Sequence, residues 1–367
     1  MTDSATLARP AANPLGLNGF EFVEFTSPDP EAMGKQFEQL GFVPTHRHPT
    51  KNVTRYKQGR INLMLNRDEA GRVASFRGEH GASASAMAFR VADPAKAMAW
   101  ALEHGAKPTD EDDTVIMGIG GSYLYFIEDG IDLYADWAEF PGWREAEAAN
   151  NVGLDLLDHL THNVRRGQMR VWSEFYRTLF NFEEQKYFDI KGQATGLFSQ
   201  AMIAPDKAIR IPLNESQDDK SQIEEFIREY NGEGIQHLAL TTPDIYGTVE
   251  KLRARGVKLQ DTIETYYELV DKRVPGHGED LARLKANRIL IDGNVGEEGI
   301  LLQIFTETMF GPIFFEIIQR KGNEGFGNGN FQALFESIEL DQIRRDDGFG
   351  ANGPTRVGEG EPGEARE

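Results

Sequence analysis

An internal repeat constrains the fold of this chain more than any other feature of its sequence. A constant offset of 151 residues aligns Ala86–Lys107 with His237–Lys258, and it places Asp93 opposite Asp244. Each segment begins as a short alternating strand. An Asp suited to cap a helix follows, then apolar positions spaced three and four residues apart, then a glycine that ends the helix. A repeat of this length predicts two copies of one domain.

Two looser repeats keep the same order along the chain. Phe20–Phe42 pairs with His159–Phe182, and Gly121–Tyr134 pairs with Gly299–Glu316. The first pair has the pattern of strand, loop and amphipathic helix, and the second has the pattern of strand, turn and strand. The sequence therefore predicts two α+β domains, each with two modules whose strands curl around a central cavity.

The repeat also predicts the domain boundaries. We expect a first domain at residues 17–150, a second at 151–345, and a solvated tail at 346–367, where glycines and charges dominate. No stretch reaches the roughly 18 apolar residues of a membrane span. The N-terminus lacks the basic start and apolar core of a secretory signal, so a cytoplasmic location is expected.

Composition restricts the chemistry. The chain of 367 residues has no cysteine and a formal net charge of −20. The first fact excludes thiolate metal sites and a cysteine nucleophile, so any metal must be held by histidine nitrogens and carboxylate oxygens. The second argues against nucleic acid or an anionic membrane as a partner, because both are recruited by basic patches.

The two copies differ at three positions that matter for metal binding. His159 lies on a strand whose counterpart in the first copy contains no histidine, and His237 stands where the first copy has Ala86. Glu316 falls roughly where the first copy has Tyr134. Two imidazoles and one carboxylate occupy one face of an octahedron and leave the other open, as in non-haem Fe(II) oxygenases. We therefore expect a metal in the second copy only.

The remaining histidines are interpreted as structural. His162 follows His159 by three residues, so on a strand it points to the opposite face. The histidines of the first copy, together with one in a later glycine-containing loop, are expected at the surface: His46, His48, His80, His104 and His277.

Six motifs in the order of the chain resemble the 4-hydroxyphenylpyruvate dioxygenases of the vicinal oxygen chelate superfamily, over nearly all of residues 17–345. They are DHLTHNV (158–164), RIPLNE (210–215), GIQHLAL (234–240), LLQIFT (301–306), FFEIIQRKG (314–322) and GFGNGNFQALFESIE (325–339). The resemblance implies two tandem domains of paired βαβββ modules, each an open β-barrel, and a C-terminal gating helix. It also implies one Fe(II) per chain on His159, His237 and Glu316, the residues found above.

The resemblance further implies a substrate pocket with polar and apolar members. Amide and hydroxyl donors suit a phenol and a 2-oxo acid, and aromatic walls suit the ring. The polar members are Ser199, Asn214, Gln222, Gln236 and Gln303, and the apolar members are Pro212, Phe305, Phe314, Phe326 and Phe331.

By the same resemblance, the expected reaction converts 4-hydroxyphenylpyruvate and O₂ to homogentisate and CO₂ in tyrosine catabolism. The first domain would be structural and would assemble the chain into a homodimer or homotetramer. Three alternatives remain open at this point. They are 4-hydroxymandelate synthase, against which Pro212, Asn214 and Phe305 argue, an extradiol catechol dioxygenase, and a metal-free binding protein of the same fold.

Overall fold

The computed structural model describes residues 13–110, 113–191 and 196–330. The predicted tail 346–367, Phe331 and the predicted gating helix lie outside these residues. The elements of the first half are β1 (Phe20–Thr26), α1 (Pro30–Gln39), β2 (Val43–Arg47), β3 (Val53–Gln58), β4 (Ile61–Asn66), α2 (Gly71–His80), β5 (Ser83–Val91), α3 (Pro94–Glu103), β6 (Val115–Met117), β7 (Tyr123–Glu128), β8 (Ala138–Glu139) and α4 (Trp143–Asn150).

The second half repeats this order and adds short helices before its last strands. Its elements are β9 (Leu156–Val164), α5 (Met169–Phe180), β10 (Glu183–Lys191), β11 (Gly196–Ile203), β12 (Arg210–Ser216), α6 (Gln222–Glu229), β13 (Gly234–Thr241), α7 (Ile245–Ala254), α8 (Glu264–Glu268), α9 (Val270–Arg273), α10 (Leu281–Asn287), β14 (Leu290–Asn294), β15 (Gly299–Phe305) and β16 (Phe314–Lys321).

Each half forms an eight-stranded curled sheet in the part of the chain that the structure describes. The strand orders are β6-β7-β5-β1-β4-β3-β2-β8 and β10-β11-β12-β9-β13-β16-β15-β14. In both sheets the first strands of the two modules pair antiparallel at the centre, and each pairs in parallel with the last strand of its own module. This is the arrangement of two tandem domains with paired modules, so the predicted fold class is confirmed. One module is shorter than βαβββ: among the described residues of the first half, only β6 and β7 follow α3 beside β5, and β8 pairs with β2 at the opposite edge.

The helix that follows the central strand of each repeat begins as the sequence predicts. The Asp93 carboxylate accepts a hydrogen bond from the Lys96 amide at 3.1 Å, and Asp244 accepts one from the Gly247 amide at 3.1 Å. These caps satisfy an amide that the first helical turn leaves without an intrahelical partner.

The two halves share one hydrophobic core between the outer faces of their sheets. The Phe180 ring of α5 packs edge-on against Phe89 of β5, with 5.4 Å between the ring centroids. The Trp100 indole of α3 donates a hydrogen bond to the Leu179 carbonyl at 3.0 Å. The two halves are therefore joined through the faces that carry their helices.

Strand register corrects one predicted equivalence. Ala239 pairs with both His159 and Glu316, and its counterpart in the first half, Ala88, pairs with Phe22 and Tyr125. The counterpart of Glu316 is therefore Tyr125, and the assignment to Tyr134 was wrong. Tyr134 lies beyond the last strand of that module, because a strand–turn–strand pattern does not specify which strand pairs with the centre.

The expected surface position was wrong for His46 and His80, which are both buried, and for the side chain of His277, which is 6% exposed. His80 lies between the two halves, where its Nδ1 is 2.7 Å from the Tyr230 carbonyl and its ring stacks on the Tyr230 ring. Within the described residues, no helix is both long and apolar enough to cross a bilayer.

Candidate metal centre

Three neighbouring strands at the centre of the second sheet bring His159, His237 and Glu316 together. They lie on β9, β13 and β16, and their side chains project from the same concave face, because alternate strand residues share a face. One potential ligand atom from each residue lies within 4.8 Å of the other two. Glu316 Oε2 is 3.2 Å from His159 Nε2 and 3.5 Å from His237 Nε2.

A β-bulge in β9 fixes the orientation of His159. The pairing of β13 with β9 shifts next to Ala239, so Asp158 has no direct partner there. His159 Nδ1 donates to the Asp158 carboxylate at 2.8 Å, since an ionised carboxylate can only accept. The remaining nitrogen, Nε2, therefore presents its lone pair to the concave face.

A similar arrangement orients His237. Its Nδ1 lies 2.9 Å from the Gln236 side-chain oxygen, which leaves Nε2 directed at Glu316. The imidazole stacks on the Phe314 ring with 4.8 Å between centroids and 21° between planes. Both histidines thus offer Nε2 to one point, each held by an acceptor at Nδ1, as in most histidine metal ligands.

The electrostatics of the three groups favour a cation. Burial disfavours the ionised Glu316, but the two histidines outweigh burial and hold its pKa at about 2. Burial also opposes a charge on His159, yet Glu316 and Asp158 raise its pKa above the ordinary value. Burial lowers the pKa of His237. The site therefore presents a buried, ionised carboxylate beside two imidazole nitrogens, and this arrangement favours a cation.

A buried carboxylate oxygen without a hydrogen-bond partner indicates whether a metal fits this donor set. Glu316 Oε1 is buried and has no hydrogen-bond partner among the described residues. An unsatisfied buried polar atom costs about 1–3 kcal/mol, and a metal ion on the carboxylate would remove this cost. Two neutral imidazoles and a carboxylate on one face suit Fe(II) with open positions opposite. The residues present therefore fit the implied ion.

Several of the predicted pocket residues lie on the strands that flank this centre. Ser199 and Asn214 pair across β11 and β12, and Pro212 pairs with Ala201 two residues further along. On the other side, the Phe305 ring lies 6.0 Å from the Phe314 ring and 6.2 Å from the His237 ring. The structure thus places polar groups on one flank of the metal centre and an aromatic wall on the other.

The turn after β16 covers the centre. The Phe326 ring packs edge-on against the His159 ring with 5.2 Å between centroids. Behind it, the Gln303 side-chain oxygen accepts a hydrogen bond from the Asn330 amide at 3.2 Å. Gln222 is solvent-exposed at the start of α6, and the described contacts do not link it to the other pocket residues, so its predicted role stays a prediction.

Sequence reasoning did not assign roles to Asp158 and Arg320. Arg320 donates to both carboxylate oxygens of Asp158, at 2.9 and 2.7 Å, and Asp158 in turn holds His159. Two signals could have identified them. Asp158 directly precedes a predicted ligand, and Arg320 lies four residues after Glu316, on the same face of a strand.

Two protein-family descriptions match the chain, one in each half. The family described as "Hydroxyphenylpyruvate dioxygenase, HPPD, N-terminal" matches residues 11–136. The family described as "Glyoxalase/Bleomycin resistance protein/Dioxygenase superfamily" matches residues 156–269.

Among solved structures, a triple mutant of 4-hydroxymandelate synthase from Streptomyces coelicolor is similar with a TM-score of 0.76 and 26% identity. The match covers 89% of this chain and 100% of that chain. A xylose isomerase-like TIM barrel/4-hydroxyphenylpyruvate dioxygenase fusion protein matches with a TM-score of 0.75 and 27% identity, over 92% of this chain and 55% of that one.

Relatives at higher identity cover the chain almost end to end. The 4-hydroxyphenylpyruvate dioxygenase of Pseudomonas aeruginosa is 56% identical over 349 residues, which are 91% of this chain and 96% of that protein. A protein named hemolysin VllY from Vibrio vulnificus is 53% identical, over 91% of this chain and 98% of its own length. With two matching family descriptions and relatives at this identity, the chain belongs to the 4-hydroxyphenylpyruvate dioxygenase family.

Proposed function

We propose that the chain is an Fe(II)-dependent dioxygenase that converts 4-hydroxyphenylpyruvate and O₂ to homogentisate and CO₂, with one Fe(II) per chain. The buried trio of His159, His237 and Glu316 carries this proposal, because its donor set leaves an open face. The relative at 56% identity bears the same activity in its name. The reaction joins decarboxylation, ring hydroxylation and side-chain migration.

The three ligands would hold the iron, and the iron would supply the oxidation of the 2-oxo acid by O₂ when it is bound. The chain's own contribution is orientation. Asp158 and Gln236 hold the Nδ1 atoms of His159 and His237, so that both Nε2 atoms point at one place. Removal of either ligand should therefore abolish the reaction rather than weaken substrate binding.

The pocket residues would select and orient the substrate. The Phe305 and Phe314 rings stand next to His237 and offer flat apolar surface to the phenol ring. Ser199, Pro212 and Asn214 lie on the strands across the sheet, where a hydroxyl and an amide can bind the distal phenol or the acid. Gln236 and Gln303 complete the polar lining. Phe326 would exclude water from the centre.

A second candidate is 4-hydroxymandelate synthase, which the structural likeness to the Streptomyces coelicolor protein favours. That reaction uses the same substrates and places the hydroxyl on the side chain instead of the ring. The relatives named 4-hydroxyphenylpyruvate dioxygenase, at 48–56% identity, favour the first candidate. The identity of the product separates the two.

The decisive experiment reconstitutes the protein anaerobically with Fe(II), adds 4-hydroxyphenylpyruvate, and follows O₂ consumption while NMR identifies the product. Homogentisate is the expected product of the wild type. His237→Ala, which installs the residue of the first copy, should lower the rate by at least a thousandfold, because the chemistry belongs to the metal. His48→Ala, in an exposed loop of the first half, is the control and should keep full activity.

Two outcomes would contradict the proposal: 4-hydroxymandelate as the product, or full activity in His237→Ala.

We also propose that the chain forms a homo-oligomer, a dimer or a tetramer, through its first domain. Light scattering at micromolar concentration tests this, and a monomer would refute it.

A further inference from the structure

Two guanidinium groups connect the metal centre with the turn that covers it. Arg210 donates from Nη1 to the Asp158 carboxylate at 3.3 Å and contacts Glu324 in the turn, and Arg320 makes the larger set of bonds. Arg320 lies near the end of β16, its side chain is 13% exposed, and it makes four hydrogen bonds in two directions. Towards the sheet, Nε and Nη2 donate to the two Asp158 carboxylate oxygens at 2.9 and 2.7 Å. Towards the turn, Nη1 donates to the carbonyls of Asn323 and Gly325 at 2.9 and 2.7 Å.

On the sheet side, these bonds reach a metal ligand through one intermediary. Asp158 is 3% exposed, and it accepts the Nδ1 proton of His159 while it holds Arg320. The same carboxylate thus holds both side chains, and the position of Arg320 helps to set the position of the His159 ring.

The two bonds from Arg320 Nη1 reach the turn Asn323–Phe326, which covers His159. The turn Asn323–Phe326 is closed by a hydrogen bond from the Gly325 amide to the Asn323 side chain at 2.7 Å. Its last residue, Phe326, places its ring on the His159 ring and 5.9 Å from the Arg320 guanidinium carbon. The contacts thus form a closed circuit: Arg320, Asp158, His159, Phe326 and the turn back to Arg320.

We propose that Arg320 is a positioning residue that couples the orientation of His159 to the closed position of the turn Asn323–Phe326. This inference rests on the proposed function, because it assigns His159 to a metal. Through Arg320, metal binding at His159 stabilises the closed turn, and an open turn weakens the hold on the metal. Thermodynamic linkage makes these two effects equal in size.

Arginine suits this role and lysine does not. The planar guanidinium offers donors in a fixed fork, so it can bind a carboxylate through two atoms and two carbonyls through a third. A lysine ammonium keeps the charge but has one nitrogen, which cannot span both partners. Arg320→Lys should therefore preserve the electrostatics near Asp158 and lose most of the coupling.

The test uses the full chain with Co(II), whose visible d–d absorption reports binding and geometry without turnover. Hydrogen–deuterium exchange of the peptide 322–330 reports the turn. Arg320→Lys is compared with the wild type and with Arg283→Lys. Arg283 donates through Nε and Nη2 to the exposed Glu250, so this control makes the same change in a bidentate pair away from the site.

In the wild type and in the Arg283→Lys control, Co(II) should slow exchange in the peptide 322–330. In Arg320→Lys, Co(II) affinity should fall about 10- to 100-fold, the usual effect of losing an outer partner of a ligand. At saturating Co(II), exchange of this peptide should slow by much less than in the wild type, because only Arg210 still joins Asp158 to the turn, and the d–d spectrum should change. Should Arg320→Lys not fold, Asp158→Asn breaks the same circuit on its other side and is expected to give the same loss.

The coupling is refuted if Co(II) slows exchange equally in Arg320→Lys and the wild type. It is also refuted if the Kd values of the two proteins for Co(II) differ by less than twofold. It is refuted as well if the wild type binds no Co(II). The proposed function fails on a different observation, namely the absence of homogentisate from an Fe(II)-loaded wild type. The two results are distinguishable because the coupling is measured without O₂ or substrate.

Discussion

At the scale of single residues, the two copies show how a metal site and a packed interior can occupy the same place. Phe22, Ala86 and Tyr125 stand where the second half has its three ligands. The Phe22 and Tyr125 rings lie 5.6 Å apart, so they fill the concave face with apolar contacts. Phe22 and Ala86 offer no lone pair to a metal, and the single Tyr125 hydroxyl does not replace two imidazoles and a carboxylate, so the first half keeps the fold without this donor set.

Glu316→Gln should remove metal binding without unfolding the protein. The amide keeps the shape of the side chain but supplies a neutral, weaker ligand in place of the carboxylate. In the wild type, a metal at a hundredfold excess over its Kd stabilises the fold by about 2.7 kcal/mol. The rise in Tm on adding Co(II) should therefore vanish in Glu316→Gln and persist in the exposed control Glu307→Gln. An equal rise in both variants would contradict the assignment of Glu316.

Gly327→Ala should lower activity more than Gly276→Ala, a substitution at a glycine with a similar φ angle. Gly327 has φ +71°, and an added Cβ would lie 1.5 Å from the Gln303 side-chain oxygen. Gly276 has φ +75° with no atom within 4 Å of such a Cβ, so Gly276→Ala isolates the backbone strain, about 1 kcal/mol. We expect Gly327→Ala to lower kcat/KM at least tenfold and Gly276→Ala to leave it unchanged. Equal kinetics in the two variants would argue against close packing at Gln303.

At the scale of elements, β16 contributes most to the site. It carries Phe314, Glu316 and Arg320, which are two and four residues apart and therefore project from the same concave face. The strand leads directly into the turn that covers His159. Because it pairs in parallel with β13 and antiparallel with β15, its register is fixed on both sides. A single strand thus supplies a ligand, an aromatic wall and the support of the cover.

Truncation from Gly325 onward should abolish turnover and leave most of the fold. The cut removes Phe326 and the segment that follows it, but it leaves every strand of both sheets intact. Circular dichroism should retain the wild-type shape with a modest fall in Tm, while homogentisate formation drops below detection. A truncated protein with full activity would contradict the gating role predicted for residues from Gly325 onward.

At the scale of the whole molecule, the shared core makes the two halves one structural unit. Phe180 of α5 is fully buried and contacts Phe89 and Phe126 of the first half at 5.4 and 6.1 Å between centroids. The Gly19 amide donates to Asp206 at 2.7 Å, which adds a polar link between the halves. The first half therefore supports the strands that position the ligands.

Phe180→Ala should destabilise both halves together. Removal of a large buried aromatic side chain costs about 3–5 kcal/mol, and here the cavity lies between the halves. Urea unfolding followed by fluorescence should show a single transition at a lower midpoint. Val171→Ala on the same helix is the control, because Val171 is 54% exposed and should change stability by less than about 0.5 kcal/mol. Two separate transitions in the wild type would contradict the shared unit.

The duplication, the helix caps and the types of the three ligands were predictable because each depends on local spacing. The 151-residue offset aligns the two central strands, and Asp93 and Asp244 cap the helices that follow. The counterpart of Glu316 was not predictable, because strand pairing in a module with several strands depends on register rather than on pattern. The burial of His80 was missed for a related reason, since its partner Tyr230 lies 150 residues away.

The amino-acid sequence by itself determined that the chain is a duplicated α+β fold and that only the second copy holds two histidines and a glutamate suited to a metal. The tertiary structure alone decided how those side chains are held. The contact of Asp158 with Arg320 joins residues 162 positions apart, and it depends on a bulge in β9 and on the neighbouring strands. No periodicity along a chain encodes such a distance, because it arises only when the strands have paired and the turn after β16 has folded over them.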